Sequence, residues 1–214
     1  MTANFESIDT LLTGYVGGTL PLPLQVLVDA HVEISDKNKA LVQGLESAAG
    51  DALSDLPPVD LSERDSKLDA IFDSEPSDER QIMVPKSKSA MPSLLRDFVG
   101  YDLDDIPWRT VMPGFKEFEL ADVDGFHVSM FWIKPGRTVP AHTHEGSEIS
   151  LIVQGAFVDE RGRFGRGDIS IADDTVDHRP TAEKDCPCIG FAVTDAPVRL
   201  TGPIHQRLSD ILSG

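Results

Sequence analysis

The feature that most constrains this chain is a change of hydrophobic period across residues 74–92. That segment, SEPSDERQIMVPKSKSAMP, is rich in Pro, Ser and charge and shows no period, which marks a linker and not the interior of a domain. Before it the apolar residues recur at helical offsets. Leu11, Leu12 and Tyr15 share one face, with Ser7 or Asp9 placed to cap and Gly17-Gly18 to stop. Leu24, Val26, Leu27, Val28, His31 and Val32 suggest a second helix after Pro21 and Pro23. Ala40, Leu41, Leu45 and Ala48 suggest a third, from about Lys37 to Leu53. A short acidic fourth carries Leu61, Leu68, Ile71 and Phe72, with Asp60 or Ser62 as its cap. After residue 100 the period becomes two. Phe126, Val128, Met130 and Trp132 alternate with His127, Ser129, Phe131 and Ile133. Further strands are expected at 149–153, 156–158, 168–172 and 189–193, separated by Gly155, Gly162, Gly165 and Gly167. Short strands with glycine turns and no helical crossovers indicate a small β-barrel or jelly roll. A last short helix is expected from Pro203 to Leu212. The chain therefore divides into an all-α segment, 1–75, a linker, 76–92, and an all-β domain, 93–214.

Charge narrows the partners. The 214 residues carry a formal net charge of −17, and the acidity lies in both halves. Such a chain repels nucleic acid and anionic membrane, whereas a basic protein surface suits it. No apolar run reaches the roughly 20 residues of a membrane span. The start, Met1 to Thr10, lacks the basic and apolar stretches of a secretion signal, so a cytoplasmic protein is expected. The two cysteines, Cys186 and Cys188, exclude a disulfide framework. A bond within a CxC is strained. Two buried free thiols are the plainer expectation, and a redox-responsive pair near the barrel mouth the alternative.

The strongest chemical signal is Gly136, His142, His144, Glu148 and Gly155. Residues two apart on a strand share a face, so His142 and His144 point together, and a turn lets Glu148 return beside them. His178 follows Gly167 downstream. Three imidazoles and a carboxylate suit one divalent transition metal. The spacing G-x5-H-x-H-x3-E-x6-G is similar to the first motif of the cupins, met at every position. Their second motif is met at Gly167 and His178, while Asp173, Thr175 and Ala182 replace its Pro, Gly and Asn. This resemblance covers about residues 100–200 and implies a cupin jelly-roll barrel. Glu145 reads as a solvated loop acid and His205 as a surface residue. His127 faces either the lumen or solvent.

Across nearly its whole length the chain also resembles the ChrR-type anti-sigma factors. The resemblance is carried by Leu11-Leu-Thr-Gly-Tyr-Val-Gly-Gly-Thr-Leu20, Val28-Asp-Ala-His31, Leu94-Leu-Arg-Asp-Phe-Val-Gly100 and Cys186-Pro-Cys188. It implies a helical domain that occludes an extracytoplasmic-function sigma factor. It also implies a cupin, with zinc, that releases the sigma factor on singlet-oxygen or related oxidative stress. The family's N-terminal zinc motif, H-x3-C-x2-C with an upstream His, is broken here. His31 stands, but Ser35 and Asn38 hold the cysteine positions, and Phe5 and Glu6 hold the place of the upstream His. A lone histidine cannot hold structural zinc, so His31 is expected to be a hydrogen-bonded helix residue. One metal per chain follows, in the cupin, with Fe(II), Mn(II) and Ni(II) accepted by the same ligands as zinc. The amphipathic stretch Asp60–Phe72 is the expected docking face, and a homodimer is a further assembly compatible with this reading. The competing reading is a metal-dependent cupin enzyme, a dioxygenase, isomerase or decarboxylase. It would need a general base or substrate-orienting polar groups facing the lumen, for which Tyr101, Glu145, His127 and Arg163 are possible.

Overall fold

The structure, a computed structural model, describes residues 7–74 and 89–212. Most of the expected linker, and the Phe5–Glu6 position, lie outside the described residues. The helical region opens with α1 (Ile8–Val16), α2 (Leu22–Ile34), α3 (Lys39–Ser54) and α4 (Arg64–Phe72). Ser7 caps α1 by accepting from the Thr10 N–H at 3.3 Å. Pro23 lies in the first turn of α2, where its missing N–H costs nothing. Two expectations are corrected. The face of α3 that packs inward carries Val42 and Leu45, while Leu41 is 42% exposed. The helix docks on α1 along a narrow contact, and its small residues leave the rest in solvent. Neither Asp60 nor Ser62 caps α4. Glu63, at φ 57°, takes that place without a side-chain bond. No residue of α4 is buried, and only Leu68 is half-buried.

A short α5 (Ser93–Val99) leads into the strands. They are β1 (Arg109–Met112), β2 (Phe115–Glu119), β3 (His127–Ile133), β4 (His142–His144), β5 (Glu148–Gln154), β6 (Ala156–Asp159), β7 (Gly162–Gly165), β8 (Ile169–Ala172), β9 (Thr181–Ala182), β10 (Cys188–Thr194) and β11 (Val198–Leu200). A closing α6 spans Ile204–Leu212. Every ladder is antiparallel, in a six-stranded sheet ordered β1-β2-β3-β10-β5-β8 and two small sheets, β11-β4 and β7-β6-β9.

The large sheet is covered on both faces. One set of alternate residues, including Val128, Met130, Leu151 and Phe191, packs with Leu11, Leu24, Leu27 and Leu95 of the helices. The ring of Phe98 meets Phe191 edge to face at 6.0 Å. The opposite set turns inward, where Ile133, Ile152, Phe157, Ala182 and Cys188 form the barrel's own core. This explains why β5 and β10 are apolar without clean alternation: a sheet face that would meet water in an isolated barrel is buried here.

Polar contacts fix the helices in place. His31, 2% exposed on α2, lies 2.7 Å through Nδ1 from the Gly167 carbonyl. Its Nε2 lies 3.0 Å from the Asn38 amide nitrogen. A carbonyl only accepts, so Nδ1 carries the proton and Nε2 accepts from Asn38. Lys37 pairs with Asp168 beside this joint. Glu33 accepts from the Ser93 N–H at 2.9 Å and hydroxyl at 2.8 Å. Asn38 thus serves a hydrogen-bonded joint, and the Ser35 hydroxyl accepts from the Lys37 N–H at 3.4 Å beside it.

Candidate metal centre

Strand β4 and the segment around His178 are joined by reciprocal backbone bonds. His142 N–H donates to the His178 carbonyl and His178 N–H to that of His142, each at 3.0 Å. This bridge places His142 and His178 ring to ring, with centroids 4.4 Å apart. His144 joins them from the same face of β4. The residues His142, His144 and His178 are 7%, 1% and 4% exposed, and their ligand atoms all lie within 4.8 Å of one another. His178 Nε2 is 2.9 Å from His142 Nε2 and 3.3 Å from His144 Nε2. Two nitrogens bound tetrahedrally at 2.0–2.1 Å to one ion lie about 3.3 Å apart.

Glu148 stands at the edge of this group. Its Oε2 is 3.8 Å from His144 Nδ1, and its Oε1 accepts from the Ser150 hydroxyl at 3.0 Å. It lines the same cavity as His142 and His178. The structure therefore brings three of the expected ligands together and sets the fourth beside them.

The protonation pattern tests whether an ion fits. His142 Nδ1 lies 2.8 Å from the Pro140 carbonyl, so that nitrogen donates and Nε2 is bare. His178 Nδ1 lies 2.9 Å from the Asp159 carboxylate, which also only accepts, so its Nε2 is bare as well. Two lone pairs then face each other across 2.9 Å, an arrangement that a shared cation relieves. His144 Nδ1 is buried without a hydrogen bond. Burial, first of all, pushes the pKa values of His144 and His178 down, keeping both neutral, the form that binds metal. Burial would raise Asp159, but hydrogen bonds from Arg161 and His178 hold it below the usual carboxylate range. The donor set fits a divalent ion.

Asp159 and Arg161 were not indicated by any motif. Arg161 sits in the turn between β6 and β7, and Asp159 lies 19 residues from the histidine it contacts.

A cavity of about 330 Å³ opens beside His142 and His178, walled mainly by apolar side chains such as Phe131, Ile133 and Phe157. None of Tyr101, Glu145, His127 and Arg163 lines it. Glu145 and His205 are exposed. His127 is exposed, lies 3.3 Å through Nδ1 from Asp122, and is not among the residues lining the cavity. Arg163 pairs with Glu183 outside the barrel at 2.8 Å. Both cysteines are free, and burial pushes the Cys188 thiol up to about 12.

Comparison with known proteins accounts for both halves. Residues 97–196 match the family model described as the ChrR cupin-like domain. The anti-sigma-E factor ChrR of Cereibacter sphaeroides is 37% identical over 204 residues, which cover 93% of each chain. The chain belongs to the ChrR anti-sigma factor family. A crystal structure of Rhodobacter sphaeroides SigE in complex with the anti-sigma ChrR aligns with a TM-score of 0.73 at 35% identity. The match covers 88% of this chain and 97% of that one. The family's two-part architecture, helices then cupin-like barrel, is the architecture found here. A regulator rather than an enzyme is what this kinship supports. Among the described residues, no helix is long and apolar enough to cross a membrane.

Proposed function

We propose that this protein is an anti-sigma factor that sequesters an extracytoplasmic-function sigma factor through its helical domain, residues 1–75. A segment spanning 76–92 joins that domain to a metal-binding cupin domain, 93–214, which acts as the sensor. The observation that carries the reading is near full-length similarity to a protein named anti-sigma-E factor ChrR, one solved in complex with SigE. Helix α4 supports it from this chain's own physics. Ile71 and Phe72 of this helix, and Leu61 just before it, are 65%, 80% and 62% exposed, with acidic Asp65 and Asp69 on the same helix. Exposed apolar anchors among acidic groups suit a groove on a basic partner. A sigma factor acts on RNA polymerase, so the complex would work in the cytoplasm.

In the cupin, His142, His144 and His178 would hold one divalent ion, with Glu148 as the fourth ligand. Zinc is the reading we favour. The ion would supply Lewis acidity and a fixed charge in the barrel, and oxidation of its imidazole shell under singlet-oxygen or related stress is the signal the domain would register.

The test is capture of the co-expressed, genetically adjacent sigma factor by the full chain. The pair should co-purify, and Ile71→Asp with Phe72→Asp should weaken binding at least tenfold while leaving thermal stability unchanged. Failure of the unaltered chain to bind any such factor would overturn the reading. Elemental analysis should find one zinc per chain, lost in the His142→Ala/His144→Ala double variant. Two ions per chain would refute the one-site assignment.

A further inference from the structure

We propose that Asp159 is the positioning residue that makes His178 a metal ligand, held in that role by Arg161. This rests on the metal reading above.

The Asp159 side chain is 0% exposed, yet its carboxylate is fully engaged. Oδ2 accepts from Arg161 Nη2 at 2.7 Å and Nε at 3.1 Å, and Oδ1 accepts from the Arg161 backbone N–H at 2.9 Å. The remaining partner of Oδ2 is His178 Nδ1, at 2.9 Å.

Two groups compete for that nitrogen, because Arg161 Nη2 also lies 3.1 Å from it. The competition resolves by counting protons. Nη2 carries two, and both have oxygen acceptors, Asp159 Oδ2 and the Ser170 hydroxyl at 3.0 Å. If Arg161 donated to Nδ1 instead, a carboxylate oxygen would face an imidazole lone pair at 2.9 Å in a buried site, two acceptors with no proton between them. The bonded arrangement is therefore His178 Nδ1–H donating to Asp159. Nε2 is then bare and aimed at His142 and His144. A negative charge behind the ring also makes that nitrogen a stronger donor to a cation. Arg161 is fixed in turn by the Ile171 carbonyl at 2.6 Å and lies over the Phe164 ring, 5.1 Å from its centroid, so the carboxylate is clamped from behind.

Asp159→Asn keeps the shape and removes this logic. An amide cannot accept at both oxygen positions and carries no charge: its NH2 group must face either the Arg161 backbone N–H, at the Oδ1 position, or both the Arg161 guanidinium and His178 Nδ1, at the Oδ2 position. The latter forces the proton onto Nε2 and blocks the ligand.

The test uses the full chain. Zinc affinity, measured by competition with a chromophoric chelator, should fall 10–100-fold in Asp159→Asn, with the helical content of the metal-free protein unchanged. In metal-stripped wild-type protein labelled with ¹⁵N-histidine, long-range ¹H–¹⁵N correlations should show His178 protonated at Nδ1. A packing role for Asp159 would not set that signature, and it is read even if the variant does not fold. Asp159→Asn with wild-type affinity, or a wild-type His178 protonated at Nε2, overturns the proposal while leaving the metal reading intact. A wild-type chain that takes up no zinc overturns both.

Discussion

Gly190 shows how single residues shape the barrel interior. It sits on β10 opposite Phe131 of β3, and the ring of Phe131 occupies the space where a Cβ would project. Gly190→Ala should therefore overpack the wall beside the cavity and cost about 1–3 kcal/mol, read as a lowered urea midpoint. The same scale decides the cysteines. With its thiol pushed up to about 12 by burial, Cys188 stays protonated at neutral pH and should resist alkylation until the protein unfolds, while half-buried Cys186 should react first. His142 and His144 were legible in the sequence because strand geometry points residues two apart to one face, and His178 through the resemblance to the second cupin motif. Asp159 and Arg161 were not, since their contact with His178 exists only once the β6–β7 hairpin folds back over it.

At the level of elements, helices and strands were legible wherever one face is buried and the other wet. Helix α1 and strand β3 follow their periodicity. The edge hairpin β1–β2, half-exposed on both faces, left no pattern to find, and neither did β7, β9 or β11, which are short or built on glycine. The packed face of α3 departs from its apolar pattern because its Ala and Gly residues weigh little in any pattern and the docking against α1 decides. The joint between α2 and the β7–β8 turn was invisible for a different reason: it is made by one histidine, one asparagine and one backbone carbonyl. Its contribution is measurable. His31→Leu would leave the Gly167 carbonyl without a partner, costing about 1–3 kcal/mol. Gly167 has φ +84°, and an added Cβ would stand 3.1 Å from Ser35 Cβ. Gly167→Ala should lower the thermal midpoint through both backbone strain and crowding.

For the whole molecule, acid is the informative perturbation. The His31 pKa is lowered, by burial first, against the opposing pull of its bond to Gly167. A folded value below the unfolded one, about 6.5, means that the unfolded chain binds the proton more readily. The stability this group contributes is complete above the unfolded pKa and is lost as pH falls below it. Denaturation midpoints should drop between pH 7.5 and pH 5.5, and the drop should be shallower in His31→Gln. In metal-stripped protein His144 and His178 add to the fall with the same sign, since burial lowers both. Association with a basic partner should slow as salt rises, because a chain of charge −17 draws such a partner by long-range attraction that ions screen.

The shared core of helices and sheet carries a consequence for exchange between family members. A helical half transplanted onto a relative's barrel would bring His31, Ser35 and Asn38 to a surface that must offer a carbonyl, a glycine and an acid where Gly167 and Asp168 now stand. Chimeras cut between the halves should fold well only when that turn travels with the helix that reads it. In recombination, as in engineering, the transferable unit is the pair and not either half.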